Sequence, residues 1–358
     1  MYLHRLMLLL AALVAATPAL AQSDALRILN RIRSGNVQVP AAPNTQPAVY
    51  SEKPIELAAM PLAMKKDAGQ QKTFTLFPNR VFVAGYNVGG LRQAKTTGTA
   101  SGGILNNNPG ASSTMEMVAF GIDQVLLTRV ANAAYADLVW QLKQAGFEVV
   151  SIEAARVAAG FDKLKLDGES YDISVPADRG SMHGIVVGPT PTGVRGNYPL
   201  AKLEIGAFGA PLLSSALQAM VVMPNLLFDF PRARSSKSVG YTATASVDLQ
   251  FAINPGYSKM CVTASQRSAF LEGDATLALN GTAASDASFG TVTEVSESDN
   301  SGEQNLGAAL GVGVRAKSTK TTGFSVNQAR YESLALAAAK GWNTAFVTQL
   351  RAQQQMSK

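Results

Sequence analysis

A helical period of apolar residues dominates the stretch from 115 to 145. Its apolar stripe consists of Ile122, Leu126, Val130 and Ala133. We expect this helix to begin near Met115 or Asp123 and to stop at Gly146, which suits the left-handed conformation found at helix ends. "FEVVSI" then opens a strand, and "RVFVAGYNV" (80–88) alternates as a strand does. Strand, helix and strand predict a βαβ unit whose strands pair in parallel.

Alternating apolar and polar residues predict strands through the second half of the chain. "LSSALQAMVVMPNLLFDFPRA" indicates a helix that runs into a buried strand rather than an exposed docking strip. Residues 241–265 predict a β-hairpin turned at 254–256. Residues 273–326 are rich in Gly, Ala, Ser and Thr and predict a glycine-rich β-arm built on "FGTVTEVSE" and "NLGAALGVGVRAK". A closing amphipathic helix carries Tyr331, Leu334, Ala338, Trp342 and Phe346 along one face.

Proline and glycine mark the segments between these elements. A short helix capped by Ser23 and five prolines between 36 and 63 predict a helix followed by an extended tether, together covering 22–71. The folded part is expected to begin near Lys72 and to be an α/β domain over 72–358. Residues 89–114 predict a long loop insertion. A short helix, "SIEAARVAAGFDKL", precedes loops rich in Gly and Pro that reach Pro199.

The first 21 residues have the three parts of a secretory signal peptide. His4 and Arg5 form the charged start, 6–16 is apolar, and Ala19-Leu20-Ala21 is a small-x-small cleavage site. The apolar run is shorter than the roughly 20 residues that span a bilayer. We therefore expect cleavage after Ala21 and a periplasmic protein. No cysteine follows the cleavage site, which excludes lipidation of the bacterial lipoprotein kind.

Composition and charge narrow the class of protein. With 47% hydrophobic and 16% charged residues, the chain has material for a core, and its charged fraction is below the usual level of about 25%. The net charge of +6 is scattered, so no nucleic-acid partner is expected. Cys261 is the only cysteine, which rules out an intramolecular disulfide, and we expect it to be buried.

His183 limits the chemistry, because it is the only histidine left after signal removal. A two-histidine zinc motif is excluded, and His183 is the only imidazole for a pair with Ser181. A triad with Asp178 stays open, since such groups meet only in the fold. "GSMHG" lacks the G-x-S-x-G spacing of a nucleophile elbow, and a histidine among glycines is more typical of a surface turn.

Candidate motifs for calcium binding and phosphate binding are incomplete in this sequence. Glu169, Asp172 and Asp178 lie in a glycine-rich loop that lacks the D-x-D-x-D-G order of a calcium loop. "AGYNVGG" (84–90) follows a strand but has no phosphate-loop pattern, so its glycines are expected to turn the chain. Asn280-Gly281-Thr282 matches a glycosylation sequon. We therefore predict no catalytic, cofactor-binding or metal-binding residues.

The order of predicted elements resembles the curli-secretion channel family (CsgG-like). It is also similar to the small α/β domain at the amino end of the Tol-system propeller protein and in some flagellar-basal-body periplasmic proteins. Three stretches carry the resemblance: "RVFVAGYNV" through "AYADLVWQLKQAGFEVVSIEAARV", "YTATASVDLQFAI", and the tail "GFSVNQARYESLALAAAKGWNTAFVTQL". Where the family often has a "DR" pair, this chain has "IEAAR". The resemblance implies a mixed sheet covered by helices.

In the channel subunits of that family, two hairpins enter the outer membrane, and 288–318 would correspond to one of them. Membrane strands need about 9–11 residues with alternating apolar positions. Against insertion, Arg315, Lys317 and Lys320 flank a short apolar band, and Phe289 and Phe324 are the only aromatic residues nearby. The lipid-bearing cysteine of the channel subunits is missing as well. A solvent-exposed arm is the preferred interpretation.

These observations predict a non-catalytic periplasmic component of a cell-envelope assembly or secretion complex. It would associate with other envelope proteins or with itself through exposed strand edges, the 89–114 loop and the 273–326 arm. One alternative is an outer-membrane secretion-channel subunit that contacts the membrane through 288–318. The other is a periplasmic hydrolase that uses Ser181 and His183.

Overall fold

The structure is a computed structural model. It describes residues 60–101, 111–164, 170–177, 180–193, 209–235, 237–239, 245–266, 273–281, 283–299 and 316–356. The strands are β1 Met64–Gly69, β2 Arg80–Val83, β3 Asn87–Ser101, β4 Ala111–Phe120, β5 Glu148–Val149, β6 Ser170–Ala177, β7 Gly180–Val187, β8 Met220–Ser235, β9 Lys237–Val239, β10 Ala245–Ile253, β11 Lys259–Ala264, β12 Gly273–Leu279, β13 Ala283–Ser285, β14 Gly290–Asp299 and β15 Ala316–Val326. The helices are α1 Gln124–Gln144, α2 Ile152–Arg156, α3 Gly209–Leu217 and α4 Gln328–Gln355, with a 3₁₀ helix at Gln71–Phe74. These strands form one mixed sheet, so the predicted α/β class is confirmed.

Helix α1 begins and ends where local chemistry dictates. The side chain of Asp123 accepts a hydrogen bond from the Leu126 N–H at 2.8 Å, so the predicted start at Asp123 is confirmed and the start at Met115 is wrong. Gly146 has φ +84°, the left-handed stop that was expected. From α4, Arg351 donates to the Ala145 carbonyl and lies 3.9 Å above the Phe147 ring, which adds a cation at the helix end.

The predicted βαβ unit is present. Strands β2 and β5 pair in parallel, with Arg80 opposite Glu148 and Val81 opposite Val149. On its other edge β2 pairs in parallel with β8, whose apolar side chains between 220 and 228 are buried, as predicted for that strand. Helix α3 leads into β8 and α2 follows β5, both as expected.

The predicted loop at 89–114 is wrong, because its two ends are β3 and β4. They pair antiparallel from Gln93–Val118 to Ala100–Ala111, and 102–110 lie outside the described residues. The β-branched residues of "KTTGTA" favour a strand. The loop prediction rests on the glycines, which are typical of loops. A Cβ on Gly90 would lie 2.9 Å from the side chain of Ile122 and 3.2 Å from that of Leu127 in α1, so glycine lets the start of the helix pack closely on the strand.

The predicted hairpin at 241–265 is also wrong. Strands β10 and β11 both pair antiparallel with β8, at successive positions along it, and not with each other. The Asn254 N–H donates to the Leu227 carbonyl at 2.9 Å, and the Ser258 N–H donates to the Asn254 carbonyl at 2.9 Å. The Asn-Pro-Gly signal therefore makes an outward bulge, after which the chain resumes its direction along the 16-residue β8.

Two further elements lie where loop or tether was predicted. Strands β6 and β7 form an antiparallel hairpin within the expected Gly- and Pro-rich loops. Strand β1 pairs with β12, so the folded chain starts before the predicted boundary at Lys72. The Met60 N–H donates to the Ala337 carbonyl of α4 at 3.1 Å, and a Cβ on Gly341 would lie 2.1 Å from the Met60 carbonyl oxygen. The predicted signal peptide and the rest of the tether lie outside the described residues.

Helix α4 buries the predicted face, with Leu334 only half-buried. Trp342 is fully buried, as predicted for that face, whereas Trp140 of α1 is 40% exposed. Among the described residues, no helix is both long and apolar enough to cross a membrane.

A buried polar network joins α4 to α1. The Asn343 side-chain amide donates to the Ala134 carbonyl and to the Asp137 carboxylate, each at 2.9 Å. Its oxygen accepts the Tyr86 hydroxyl at 2.8 Å. Gln141 donates to the same Asp137 oxygen at 2.7 Å. The Asn343 amide thus forms hydrogen bonds with buried polar groups of α1 and of the β2–β3 connection.

We expect Asn343→Ala to lower the free energy of unfolding by about 3 kcal/mol, because it leaves buried groups without their partner. Urea unfolding followed by circular dichroism measures this loss. The matched control is Thr344→Ala on the next, exposed position of α4, which should cost well under 1 kcal/mol. Equal losses for the two variants would contradict the role given to the network.

Two buried tyrosines should respond differently to the loss of their hydroxyls. The Tyr331 hydroxyl is buried without a hydrogen-bond partner among the described residues, whereas that of Tyr86 bonds to Asn343. At pH 7 we expect Tyr86→Phe to cost about 1–2 kcal/mol and Tyr331→Phe to be close to neutral. Urea unfolding of both variants checks this contrast.

The raised pKa values of the same two tyrosines predict that the protein loses stability at alkaline pH. Burial, with a further contribution from Asp137, raises the pKa of Tyr86 well above 10.0, and burial with Asp229 raises the pKa of Tyr331. Below pH 10 both states keep their protons. Above it only the unfolded chain ionises, so stability falls by about 1.4 kcal/mol per pH unit for each tyrosine. Each Tyr→Phe variant should make this fall less steep, and an unchanged slope would contradict the assignment.

Candidate association surface

The two segments predicted to contact partners are joined in one sheet. Strands β4 and β15 pair in parallel from Ala111–Ala316 to Phe120–Ser325, which places the β3–β4 hairpin beside the β14–β15 hairpin. Strand β7 pairs on the other edge of β3, and β6 pairs with β7. The order β6-β7-β3-β4-β15-β14 defines what we call the six-strand section.

The predicted arm at 273–326 is only partly correct. Strand β14 is present where "FGTVTEVSE" predicted it, but β12 lies between β1 and β11 in the body of the sheet. Its Leu277 is fully buried. Most of the second predicted strand, 305–315, lies outside the described residues, and β15 begins at its end.

Equivalent strand-to-helix connections hold the two hairpins in parallel. Strand β4 leads into α1 through Asp123, and β15 leads into α4 through Asn327, whose side chain accepts from the Arg330 N–H at 3.1 Å. The two helices then run side by side, and Arg129 and Glu332 form an ion pair at 2.7 Å across them. Each hairpin thus leads into a helix in the same way, and the two helices lie beside each other.

Both outer strands of the six-strand section have one unpaired edge among the described residues. Of the described strands, β14 pairs with β15 alone and β6 pairs with β7 alone. An edge strand presents free N–H and C=O groups to other chains, and proteins often block it with proline or lysine. The ten residues of β14 include neither proline nor lysine. Its pairing with β15 is interrupted by a register shift between Glu294 and Ser296. Strand β6 carries Pro176 near its end.

One partly exposed face of the section carries hydroxyl groups and an ion pair. The Thr97 and Thr114 hydroxyls lie 3.0 Å apart, and Thr319 is the register partner of Thr114 on β15. Closer to the body, Lys95 and Glu116 form an ion pair at 3.8 Å. Phe120 is 53% exposed at the end of β4. Apart from Phe120, the groups on this face can form hydrogen bonds to a partner.

Ser181 and His183 meet in the structure. Both lie on β7, two residues apart and therefore on one face, with Ser181 Oγ 3.0 Å from His183 Nε2. Asp178 lies outside the described residues, and Asp172 binds Arg92 at 3.1 Å instead. Among the described contacts no carboxylate reaches His183. The pair is exposed, and within the described part of the chain it has a nucleophile and a base but no orienting acid.

Cys261 is half-buried in β11 and chemically quiet. Burial raises the pKa of its thiol to about 12, and Asn225 Nδ2 lies 3.9 Å from the sulfur. The thiolate is the reactive form, so Cys261 reacts slowly near neutral pH. In the described part of the chain, no group of three His, Cys, Asp or Glu side chains is placed to hold a metal ion.

Comparison with family models, with curated proteins and with solved structures yields no match to this chain.

The parallel pairing of β4 and β15 predicts a disulfide. Ser113 and Ser318 are register partners with hydroxyls 3.3 Å apart. Neighbouring strands lie about 4.8 Å apart, within the Cα range of about 4.4–6.8 Å for a disulfide. We expect Ser113→Cys with Ser318→Cys to form the bond under mild oxidation, seen as loss of two free thiols by mass spectrometry. Ser112→Cys with Ser318→Cys is the control, because Ser112 faces the opposite side; bond formation there alone would contradict the register.

Proposed function

We propose that the protein is a non-catalytic component of a cell-envelope assembly or secretion complex and acts by protein–protein association. The observation that carries this proposal is the six-strand section, whose outer strands β14 and β6 each have one edge unpaired among the described residues. Strand addition to such an edge gains affinity from main-chain hydrogen bonds and needs no reactive side chain.

The strands and helices that pack behind the β14 edge hold it in place before a partner strand binds. Strand β14 rests on β15, which leads into α4, and α4 is tied to α1 by the buried Asn343 network. A partner strand would thus add to a pre-formed template and would not need to order it, which lowers the entropic cost of association.

The proposal extends to fold family and compartment. The mixed sheet, the βαβ unit and the closing helix agree with the CsgG/Tol-like arrangement that the sequence resembles, and we keep that family as part of the proposal. The signal-like sequence at 1–21 supports export with cleavage after Ala21. Release by osmotic shock would support a soluble periplasmic protein. Retention in a detergent-resistant ring in the outer membrane would favour the channel subunit, with contact through 288–318.

Thiol labelling in the native envelope tests the edges directly. Single substitutions Thr291→Cys on β14 and Ser174→Cys on β6 put an exposed thiol on each edge strand, and Cys261 contributes little background. We expect both thiols to label slowly in intact envelopes and rapidly in the purified protein, because a bound partner covers them. Labelling is read by mass shift.

The control for this experiment is Thr344→Cys, on the exposed side of α4 and away from both edge strands. It should label at the same rate in both preparations. If the edge positions also label equally in both, association through these edges is wrong.

A second candidate function is hydrolysis, and the 3.0 Å contact between Ser181 and His183 favours it. Under this candidate, His183→Ala and Ser181→Ala would each abolish turnover of a simple ester while circular dichroism and urea unfolding stay unchanged. The association proposal predicts that the wild-type protein and both variants share the same background rate.

A further inference from the structure

The turn between β12 and β13 contains Asn280 followed by Gly281, the only Asn-Gly pair in the sequence. Both residues are exposed. Gly281 has φ +111°, and a Cβ built on it would meet nothing within 4 Å. Its N–H donates to no group in the part of the chain that the structure describes. The side chain of Asn280 and the next backbone nitrogen are therefore both open to solvent.

We propose that Asn280 is a site of spontaneous covalent modification, in which its side-chain amide is converted to a carboxylate through a cyclic imide. Water takes the proton of the Gly281 N–H, and this nitrogen attacks the Asn280 Cγ. The new N–Cγ bond closes a five-membered ring. The bond from Cγ to the side-chain nitrogen breaks, and that nitrogen leaves as ammonia with protons from solvent.

Water then opens the ring by adding to one of its two carbonyl carbons, whose bond to the ring nitrogen breaks. Attack at Cγ gives aspartate with the original main chain, and attack at the backbone carbonyl carbon gives isoaspartate. Each product carries one new negative charge. Ammonia is released, one water is consumed, and nothing is oxidised or reduced.

Other asparagines in the described residues lack one of the requirements. Asn79 is exposed, but Arg80 follows it and places a bulky side chain beside the attacking nitrogen. Asn254 precedes Pro255, whose nitrogen carries no proton. Asn343 is fully buried, and its amide is held by the network described above. Glycine after an exposed asparagine thus sets Asn280 apart.

The modification acts on a structural contact. The Asn280 N–H donates to the Ala63 carbonyl at 2.9 Å, directly before β1, and Leu279 pairs with Met64. Isoaspartate inserts a methylene group into the main chain at this point. It therefore alters the spacing that lets β1 add to β12, at the place where the N-terminal segment enters the sheet.

Peptide mapping of the purified full-length protein tests the proposal. After incubation at neutral and mildly alkaline pH, the Asn280 peptide should gain the mass of an –OH replacing an –NH₂ and separate into aspartate and isoaspartate forms. The rate should rise with pH, because the attacking nitrogen must lose its proton. Asn79 in the same sample is the internal control and should keep its amide.

Asn280→Gln keeps an amide at this position but needs a larger ring for the same attack, so the mass gain at residue 280 should disappear while the rest of the map is unchanged. The proposal is overturned if Asn280 in the folded wild-type chain keeps its amide as long as Asn79 does. It is equally overturned if the gain at 280 persists in the glutamine variant.

Discussion

The contact between α1 and α4 is the constraint on which the rest of the fold depends. A single amide, that of Asn343, donates to a carbonyl and a carboxylate of α1 and accepts a hydroxyl from Tyr86. A buried polar group with several partners tolerates one geometry far better than any other, because each displaced partner loses its hydrogen bond in a place without water. The helices are therefore fixed in rotation and in translation, which apolar packing alone specifies less sharply.

Fixing the helices also fixes the strands that lead into them. Each helix starts within a few residues of its strand, at Asp123 after β4 and at Asn327 after β15. The parallel register between Ala111–Phe120 and the matching part of β15 agrees with the side-by-side position of the two helices. A hairpin–helix unit thus occurs twice in the chain, although no repeat is visible in the sequence. The proposed association edges are β14 and β6, the outer strands of the section that contains these hairpins.

Much of the helical structure was predictable because its signals are local. The caps at Asp123 and Gly146 and the buried face of α4 are properties of neighbouring residues. Several of the errors come from glycine, which has uses other than turning the chain. Gly90 and Gly184 lie inside strands, where a Cβ on Gly184 would come 2.3 Å from the Gly90 carbonyl oxygen. Gly256 belongs to a bulge between two strands that pair with β8. The local sequence around Gly256 cannot predict pairing with β8.

The candidate site was predictable in part. The two association segments were identified separately, but their parallel pairing joins residues about 200 positions apart and depends on the α1–α4 contact. The contact between Ser181 and His183 was within reach of the sequence, since residues two apart on a strand share a face. Strands β6 and β7 were missed because the turn residues around them outweighed the alternation of Ile173, Val175 and Met182.

The hydrogen bond from Met60 to Ala337 brings the earliest described segment against the latest helix. A chain delivered from its amino end, as on a ribosome or through a translocation pore, holds β1, β4 and α1 ready long before α4 arrives to cover them. Until then their apolar surfaces stay open, and chaperones have time to bind them. Completion of the native state therefore waits for delivery of α4.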